Sequence, residues 1–302
     1  YMHQILDLAL PAYDELFEDI DISGLVEKKG ILYFWTDKDL KSRQLEIDIR
    51  NELGAEQQLL TPHEIHDLEP KIKKIYHGGV LYPNARHARN PKKILLKLFD
   101  LFLKKGGHFK KQNVIKIDFL QNDKPLIKTD SHSYSFDKAV IACGAFSKKL
   151  TNQVNEKIPL DTERGYHVLF ETDNKLINRP VGWSQSGFYL VQTEEGIRAA
   201  GTIEIAGLNK SPNINRINMI ERQARKILPK LGSVKSTWMG RRPTLPDALP
   251  IIGRSSKNKN ILYAFGHQHI GWTLAGVTGK VINEIISGSQ PNFDISAFSS
   301  QR

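Results

Sequence analysis

The segment ILYAFGHQHIGWT, residues 261–273, decides the fold class because a β-rich run meets a glycine turn and then a helix. The run Ile261–Phe265 is apolar and aromatic throughout, which predicts a strand. Gly266 permits the tight turn that must follow it. The pattern over residues 272–286 then predicts a helix. A strand that leads through a short turn into a helix is a common unit of α/β sheets, so we expect an α/β layer here.

The turn at residues 266–273 is also a candidate ligand site. Backbone N–H groups at a helix N-terminus lack partners and carry partial positive charge, which suits an anion or an electron-rich ring edge. The alternative is a glycine turn with two hydrogen-bonded histidines. His267 and His269 have no Asp, Glu or Cys close to them in sequence. We therefore expect no metal site.

Other runs extend the α/β layer. Asn90-Pro91 begins a strong amphipathic helix, which Gly106-Gly107 ends. Residues 136–144 form a mostly apolar run that stops at a glycine, which predicts a second buried strand. Cys143 lies at the end of that run, so we expect a small buried side chain and not a nucleophile. Residues 5–20 have helix-like spacing, with a break predicted at Pro11.

From Leu160 the pattern becomes β-rich. Residues 167–170, 187–191 and 196–201 predict antiparallel strands joined by polar turns, and residues 213–228 predict a return to helix. The sequence therefore predicts a mixed α/β fold, with a β-rich antiparallel domain that the chain enters twice.

Charge and composition exclude several classes. The chain has 302 residues, a net charge of +10 and one cysteine, which excludes an internal disulfide framework and a Cys-based zinc cluster. Its basic residues are scattered, with no arginine-rich helix, which argues against a nucleic-acid partner. The pattern favours a solvated surface and leaves open peripheral contact with the inner face of the plasma membrane. With no signal-peptide pattern at residue 1, we expect a cytoplasmic location.

Two further side chains are candidates for binding. Arg242 precedes Pro243, and we expect it in a loop beneath a sheet, where its planar fork can hold a carboxylate through two hydrogen bonds. A structural salt bridge is the alternative. Tyr189 should lie on the strand face opposite Phe188 and Leu190. Its hydroxyl would line a pocket, or the ring would be a half-buried sheet tyrosine.

Four stretches in order resemble the D-amino acid oxidase superfamily of FAD-dependent amine oxidoreductases, and most of all its bacterial D-amino acid dehydrogenase branch. VIACGAFS (140–147) is similar to the family's VVAAGAWS, and RGYH (164–167) to the strand that follows it. Residues 240–253 resemble GxRPxTPDxxPxIG, and residues 266–273 resemble GHGxxGWT. The family's strand–GxGxxG–helix unit has no counterpart in this sequence, and we expect it to lie outside these residues.

The resemblance implies non-covalent FAD on a Rossmann-like domain that lacks its first βαβ unit here, with a β-rich domain over the substrate. The FAD-binding domain is expected to consist of residues 86–155 and 236–302. The substrate domain is expected to consist of residues 1–85, which include a helical segment, and residues 156–235. The resemblance also implies that Arg242 binds the substrate carboxylate, with Tyr189 near it and a backbone carbonyl of His269 at the amine. The implied cofactor contacts are Gly266, His267, Ile270, Gly271, Trp272 and Thr273 at the flavin, Ala142, Cys143 and Gly144 near phosphate and ribose, and Val114 at adenine.

The activity implied by the resemblance is oxidative deamination of a D-amino acid. Hydride passes from the substrate Cα to flavin N5, and the imino acid hydrolyses to a 2-oxo acid and ammonia. A quinone-type acceptor then takes the electrons. Two alternatives stay open: a glycine- or sarcosine-oxidase-like enzyme that uses O₂, and a flavin-free remnant without activity.

Overall fold

The computed structural model describes residues 1–38, 41–172 and 174–302, with the side chains of Lys41 and Ser42 outside that description. Its α-helices are α1 (Met2–Asp7), α2 (Ala9–Leu16), α3 (Lys41–Glu52), α4 (Pro62–Leu68), α5 (Pro91–Lys104), α6 (Ser147–Thr151), α7 (Ile214–Ile227) and α8 (Gly271–Ser287). Its strands are β1 (Val26–Glu27), β2 (Ile31–Trp35), β3 (Gln58–Leu60), β4 (Gly78–Tyr82), β5 (His87–Ala88), β6 (Val114–Phe119), β7 (Pro125–Thr129), β8 (Ser133–Ser135), β9 (Ala139–Ile141), β10 (Asp161–Phe170), β11 (Val181–Trp183), β12 (Phe188–Thr193), β13 (Gly196–Ile205), β14 (Val234–Thr244), β15 (Ile251–Arg254) and β16 (Ile261–Phe265). The predicted mixed α/β class is confirmed.

A large sheet has the strand order β14-β10-β13-β12-β11-β2-β4-β3. Its neighbours are antiparallel except for the parallel pair β11 and β2. The predicted antiparallel strands at 167–170, 187–191 and 196–201 are therefore confirmed. One face of the sheet packs against α7 in a core that includes Tyr166, Val168, Phe188, Leu190, Ile220 and Ala224.

The opposite face of this sheet, which we call the open face, carries more polar and exposed side chains. Alternation along β12 shows the difference: Phe188 and Leu190 are buried, whereas Tyr189 is 37% exposed. The prediction for the Tyr189 face is confirmed.

A small sheet has the order β15-β16-β9, with β9 and β16 parallel. The segment that decided the fold class forms β16, a turn and then α8, as predicted. Helices α1 and α2 pack on α8, and a Cβ added at Gly276 would lie 3.2 Å from the backbone of Ala12. A third sheet, β6-β7-β8, lies beside this layer, and Val114 packs against the small sheet's core.

Three local predictions need correction. The helix break lies at Leu8, and Pro11 falls in the first turn of α2, where its missing N–H removes no intrahelical bond. The strand predicted at 136–144 is limited to Ala139–Ile141, because the chain then enters a 3-10 turn with Gly144 at φ 54°. Cys143 is consequently exposed, not buried. The domain boundaries stay a prediction.

Helix α5 forms as predicted, with the Asn90 side chain accepting a hydrogen bond from the Lys93 N–H. Of its apolar face Ile94 is buried, whereas Leu95 is 60% and Phe102 49% exposed. Apolar residues at helical spacing predict a helix with one apolar face. They do not show whether another part of the protein packs against that face.

The carboxylate of Glu156 joins the small sheet to the C-terminal segment. It accepts hydrogen bonds from Ser255 Oγ at 2.5 Å, from the Tyr263 hydroxyl at 2.8 Å and from Ser300 Oγ. Burial raises the pKa of Glu156, but the hydrogen bonds from Ser255, Ser300 and Tyr263 outweigh it and hold the pKa below its usual 4.5.

We expect Glu156→Gln to lower the free energy of unfolding by about 1–3 kcal/mol near pH 7. A lowered carboxyl pKa stabilises the fold fully above the unfolded pKa, and that contribution is lost as pH falls through the folded pKa. The difference in Tm between wild type and variant should therefore shrink on acidification. Glu52→Gln, at an exposed carboxylate, is the control. A pH-independent difference in Tm would contradict this account.

Candidate active site

A row of paired residues crosses the open face of the large sheet. From β10 to β2 the row consists of His167, Ala200, Tyr189, Gly182 and Tyr33. Paired residues on neighbouring strands project from the same face of a sheet. The side chains of His167, Tyr189 and Tyr33 thus stand in line, and the small residues between them leave room above the sheet.

Arg242 lies in β14, opposite Glu163 of β10, and not in the predicted loop. The prediction failed because the residue before a proline is biased to extended backbone, which a strand satisfies as well as a loop. β14 is an edge strand of the large sheet, where a proline such as Pro243 is tolerated because its missing N–H can face away from the ladder.

The Arg242 side chain crosses β10 and reaches β13. Its Nη1 donates a hydrogen bond to the Thr202 carbonyl at 3.1 Å. Gly165 of β10 lies beneath the guanidinium, and a Cβ there would be only 2.2 Å from Nη2. Burial lowers the pKa of Arg242, and the nearby Glu163 carboxylate opposes that shift. Since a guanidinium has five N–H donors, several remain for a ligand on the open face.

Tyr189 and Tyr33 form an aromatic wall at the other end of the row. Their hydroxyl oxygens are 3.5 Å apart, and their rings meet edge to face with centroids 5.6 Å apart. Tyr33 also meets Tyr82 edge to face at 5.7 Å. A cavity of about 820 Å³ opens here, lined by these tyrosines and by residues of α1 and α3.

The turn at 266–270 is attached to the Arg242 strand. The Gln268 N–H donates to the Pro243 carbonyl at 2.9 Å. Gln268 and Pro243 are the sequence neighbours of His269 and Arg242, so this bond places His269 near Arg242. Desolvation and the positive charge of Arg242 lower the pKa of His269, while Glu163 opposes them. The structure thus brings two predicted site residues together, although they are on different elements.

His267 points into the protein. Its Nε2 lies 3.0 Å from Thr278 Oγ1 of α8, and burial lowers its pKa to about 4. The alternative of a hydrogen-bonded histidine therefore describes the His267 ring, and the backbone of this residue is what the turn offers to a ligand.

The N-terminus of α8 is suited to a cofactor edge. Ile270 is its N-cap and makes no side-chain cap bond, and the first turn (Gly271, Trp272 and Thr273) contains no acidic residue. Within the part of the chain that the structure describes, its N–H groups are therefore not paired with a capping side chain. The Tyr13 hydroxyl of α2 donates to the Trp272 carbonyl and fixes this turn against α2.

Ala142, Cys143 and Gly144 form a second turn at the same sheet edge. Because β9 and β16 are parallel, the turns that follow them lie at the same end of the small sheet. Ligands of α/β folds bind at this carboxyl edge. Cys143 is exposed, and desolvation raises the pKa of its thiol, which does not favour a thiolate nucleophile. Val114 begins β6, in another sheet, and has no contact with Arg242 that the structure shows.

His167, Trp238 and Tyr33 are site residues that the sequence predictions did not include. Only His167 lies in RGYH: Arg164 and Tyr166 are fully buried on the α7 face, so alternation places Gly165 and His167 on the open face. The pairing of β10 with β12 through β13, which brings His167 opposite Tyr189, cannot be read from one strand.

Known proteins are similar to this chain in sequence and in fold. The family model "DAO: FAD dependent oxidoreductase" matches residues 1–285. A D-amino-acid oxidase of Bradyrhizobium diazoefficiens is 31% identical over 293 residues, covering 95% of this chain and 70% of the relative. D-amino acid dehydrogenase 3 of Mesorhizobium japonicum is 26% identical over 298 residues, covering 94% and 72%.

Solved structures share the fold at lower identity. Glycine oxidase from Geobacillus kaustophilus matches with a TM-score of 0.86 at 20% identity, over 99% of this chain and 81% of that one. L-proline dehydrogenase from P. horikoshii matches with a TM-score of 0.86 at 20% identity, over 99% and 82%.

Proposed function

This chain belongs to the DAO family of FAD-dependent oxidoreductases, and we propose that it oxidatively deaminates D-amino acids. The observation that carries the proposal is the half-buried Arg242 guanidinium, which has spare donors on the open face and whose strand is hydrogen-bonded to the 266–273 turn. An α-carboxylate is the ligand that such a fork binds best.

The substrate would be held through its carboxylate and its amine. Arg242 binds the carboxylate through two hydrogen bonds, and the Tyr189 hydroxyl lies on the same open face. A main-chain carbonyl of His269 accepts a hydrogen bond from the amine. The two turns at the carboxyl edge of the small sheet and Val114 would hold FAD, which would supply the two-electron acceptor for hydride from the substrate Cα.

The residues of the site supply position and charge, and no side-chain acid–base pair is found among the described residues. Alignment of the substrate Cα contributes much of the barrier reduction. The amine must be neutral for hydride loss, and the positive charge of Arg242 favours loss of its extra proton. The imino acid then leaves and takes up water, which gives a 2-oxo acid and ammonia.

We also propose that a quinone-type acceptor takes the electrons. Support comes from the relatives named D-amino acid dehydrogenase. The net charge of +10 would favour peripheral contact with an anionic membrane. None of the helices in the described residues is both long enough and apolar enough to cross a membrane. O₂ is the second candidate acceptor, since the relative from Bradyrhizobium is named an oxidase.

The test is turnover by the protein expressed from its full gene. A panel of D-amino acids is supplied without O₂ and with a soluble quinone, and 2-oxo acid and ammonia are measured. We expect both products in equal amounts. Repetition in air without quinone separates the acceptors, because peroxide equal to the oxo acid would favour O₂. Absence of oxo acid from every D-amino acid under both conditions would contradict the proposed function.

A further inference from the structure

We propose that His167 is a substrate-positioning residue whose imidazole accepts a hydrogen bond from the α-amino group of the bound amino acid. The inference rests on the proposed function, since it assumes an amino acid substrate on the open face. It adds a contact from the large sheet to the amine contact proposed for the main-chain carbonyl of His269.

On the open face a single small residue separates His167 from Tyr189. His167 and Tyr189 flank Ala200, and because they are two strands apart their backbones are separated by about 10 Å. We call the space over Ala200 the Ala200 groove. The methyl side chain of Ala200 leaves its floor open.

The carboxylate site lies at one end of the Ala200 groove. The Arg242 guanidinium lies over Gly165, two residues from His167 on the same face of β10. It is bonded to the carbonyl of Thr202, two residues from Ala200 on β13. A carboxylate bound to Arg242 therefore directs the rest of the substrate towards His167 and Tyr189.

The His167 ring is held in place. It stacks on Trp238 of β14, with centroids 5.2 Å apart and an interplanar angle of 23°. The Trp238 ring in turn lies over Gly240, where a Cβ would be 2.0 Å from it. Gly240 pairs with Gly165, so two adjacent glycines make room for the Trp238 ring and the Arg242 fork.

The polar atoms of the His167 ring are available to a ligand. No hydrogen bond from the described residues reaches either ring nitrogen, and the residue is only half-buried. Burial and the positive Arg198 lower its pKa to about 4, so the ring is neutral near neutral pH. A neutral imidazole has one nitrogen that accepts and one N–H that donates. Arg242 supplies hydrogen-bond donors for the substrate carboxylate. The accepting nitrogen of His167 is suited to the substrate amine, which donates hydrogen bonds.

Two variants separate this role from packing. His167→Phe keeps the ring stacked on Trp238 and removes both nitrogens, whereas His167→Gln restores an acceptor at similar reach. Each is assayed with D-alanine for kcat/KM and with propanoate, which has the carboxylate but no amine, for competitive inhibition. Flavin content and Tm check that the variants are folded.

We expect His167→Phe to lower kcat/KM for D-alanine by about 10- to 100-fold, with the inhibition constant of propanoate changed by less than about threefold. His167→Gln should recover a large part of that loss. The inference would be overturned if kcat/KM for D-alanine were unchanged in His167→Phe. It would also be overturned if the inhibition constant of propanoate rose by the same factor as kcat/KM for D-alanine fell. If wild type oxidises no D-amino acid at all, the proposed function fails instead.

Discussion

Arg242→Leu is expected to lower kcat/KM for the best D-amino acid by about 10³-fold, which corresponds to about 4 kcal/mol of lost transition-state binding. The variant removes the proposed charge-assisted two-bond contact with the substrate carboxylate from a half-buried site, where such bonds are strong. Most of the loss should appear in KM, because the carboxylate is bound in both ground and transition states. Steady-state kinetics with flavin content measured in parallel checks this.

Arg241→Leu is the matched control for that prediction. Arg241 is the preceding residue of β14, is exposed, and donates through Nε to the Leu208 carbonyl at 2.6 Å. Its loss removes the same charge from the same strand without touching the open face, so kcat/KM should change by less than about threefold. Equal losses in the two variants, or an unchanged KM in Arg242→Leu, would remove Arg242 from the carboxylate site.

Gly165→Ala should also lower kcat/KM, because it displaces the same guanidinium. The added Cβ would lie 2.2 Å from Nη2, so the Arg242 fork must leave the position that it holds over β10. Displacement of a binding group by about 1 Å can cost on the order of 100-fold in rate. Measured kcat/KM should fall by that factor or more, while Gly279→Ala, where an added Cβ meets nothing within 4 Å, should be near wild type.

A double variant that combines Gly165→Ala with Arg242→Leu tests whether Gly165 acts through Arg242. If Gly165→Ala acts by moving Arg242, it should have little further effect in the Arg242→Leu background, because the group that it displaces is already absent. Independent, additive losses in kcat/KM would show that Gly165 matters for another reason, such as the stability of β10.

Much of the local structure could be predicted because short-range chemistry decides it. Thr61 and Glu64 have the spacing of a capping box, and they form one at the start of α4. Asn90 caps α5, and Asn213 caps α7. In each case a side chain bonds backbone N–H groups two or three residues away, so no knowledge of the remaining fold is needed.

What could not be predicted depends on pairing between distant strands. The sequence predicts a loop at Arg242, and only the position of β14 at the sheet edge explains a strand there, directly before Pro243. The groove between His167 and Tyr189 requires the register of β10, β13 and β12 together. Cys143 is exposed because the chain leaves the sheet after Ile141, which apolar composition does not reveal.

Flavin reduction by the two enantiomers of one amino acid tests the central claim most directly. The protein expressed from its full gene is mixed without O₂ with the D- and then the L-form of the best substrate, and the visible absorbance of oxidised flavin is followed. We predict that the D-form bleaches it completely and that Arg242→Leu slows the bleaching at the same concentration. Bleaching by neither form, or equally by both, would contradict the account.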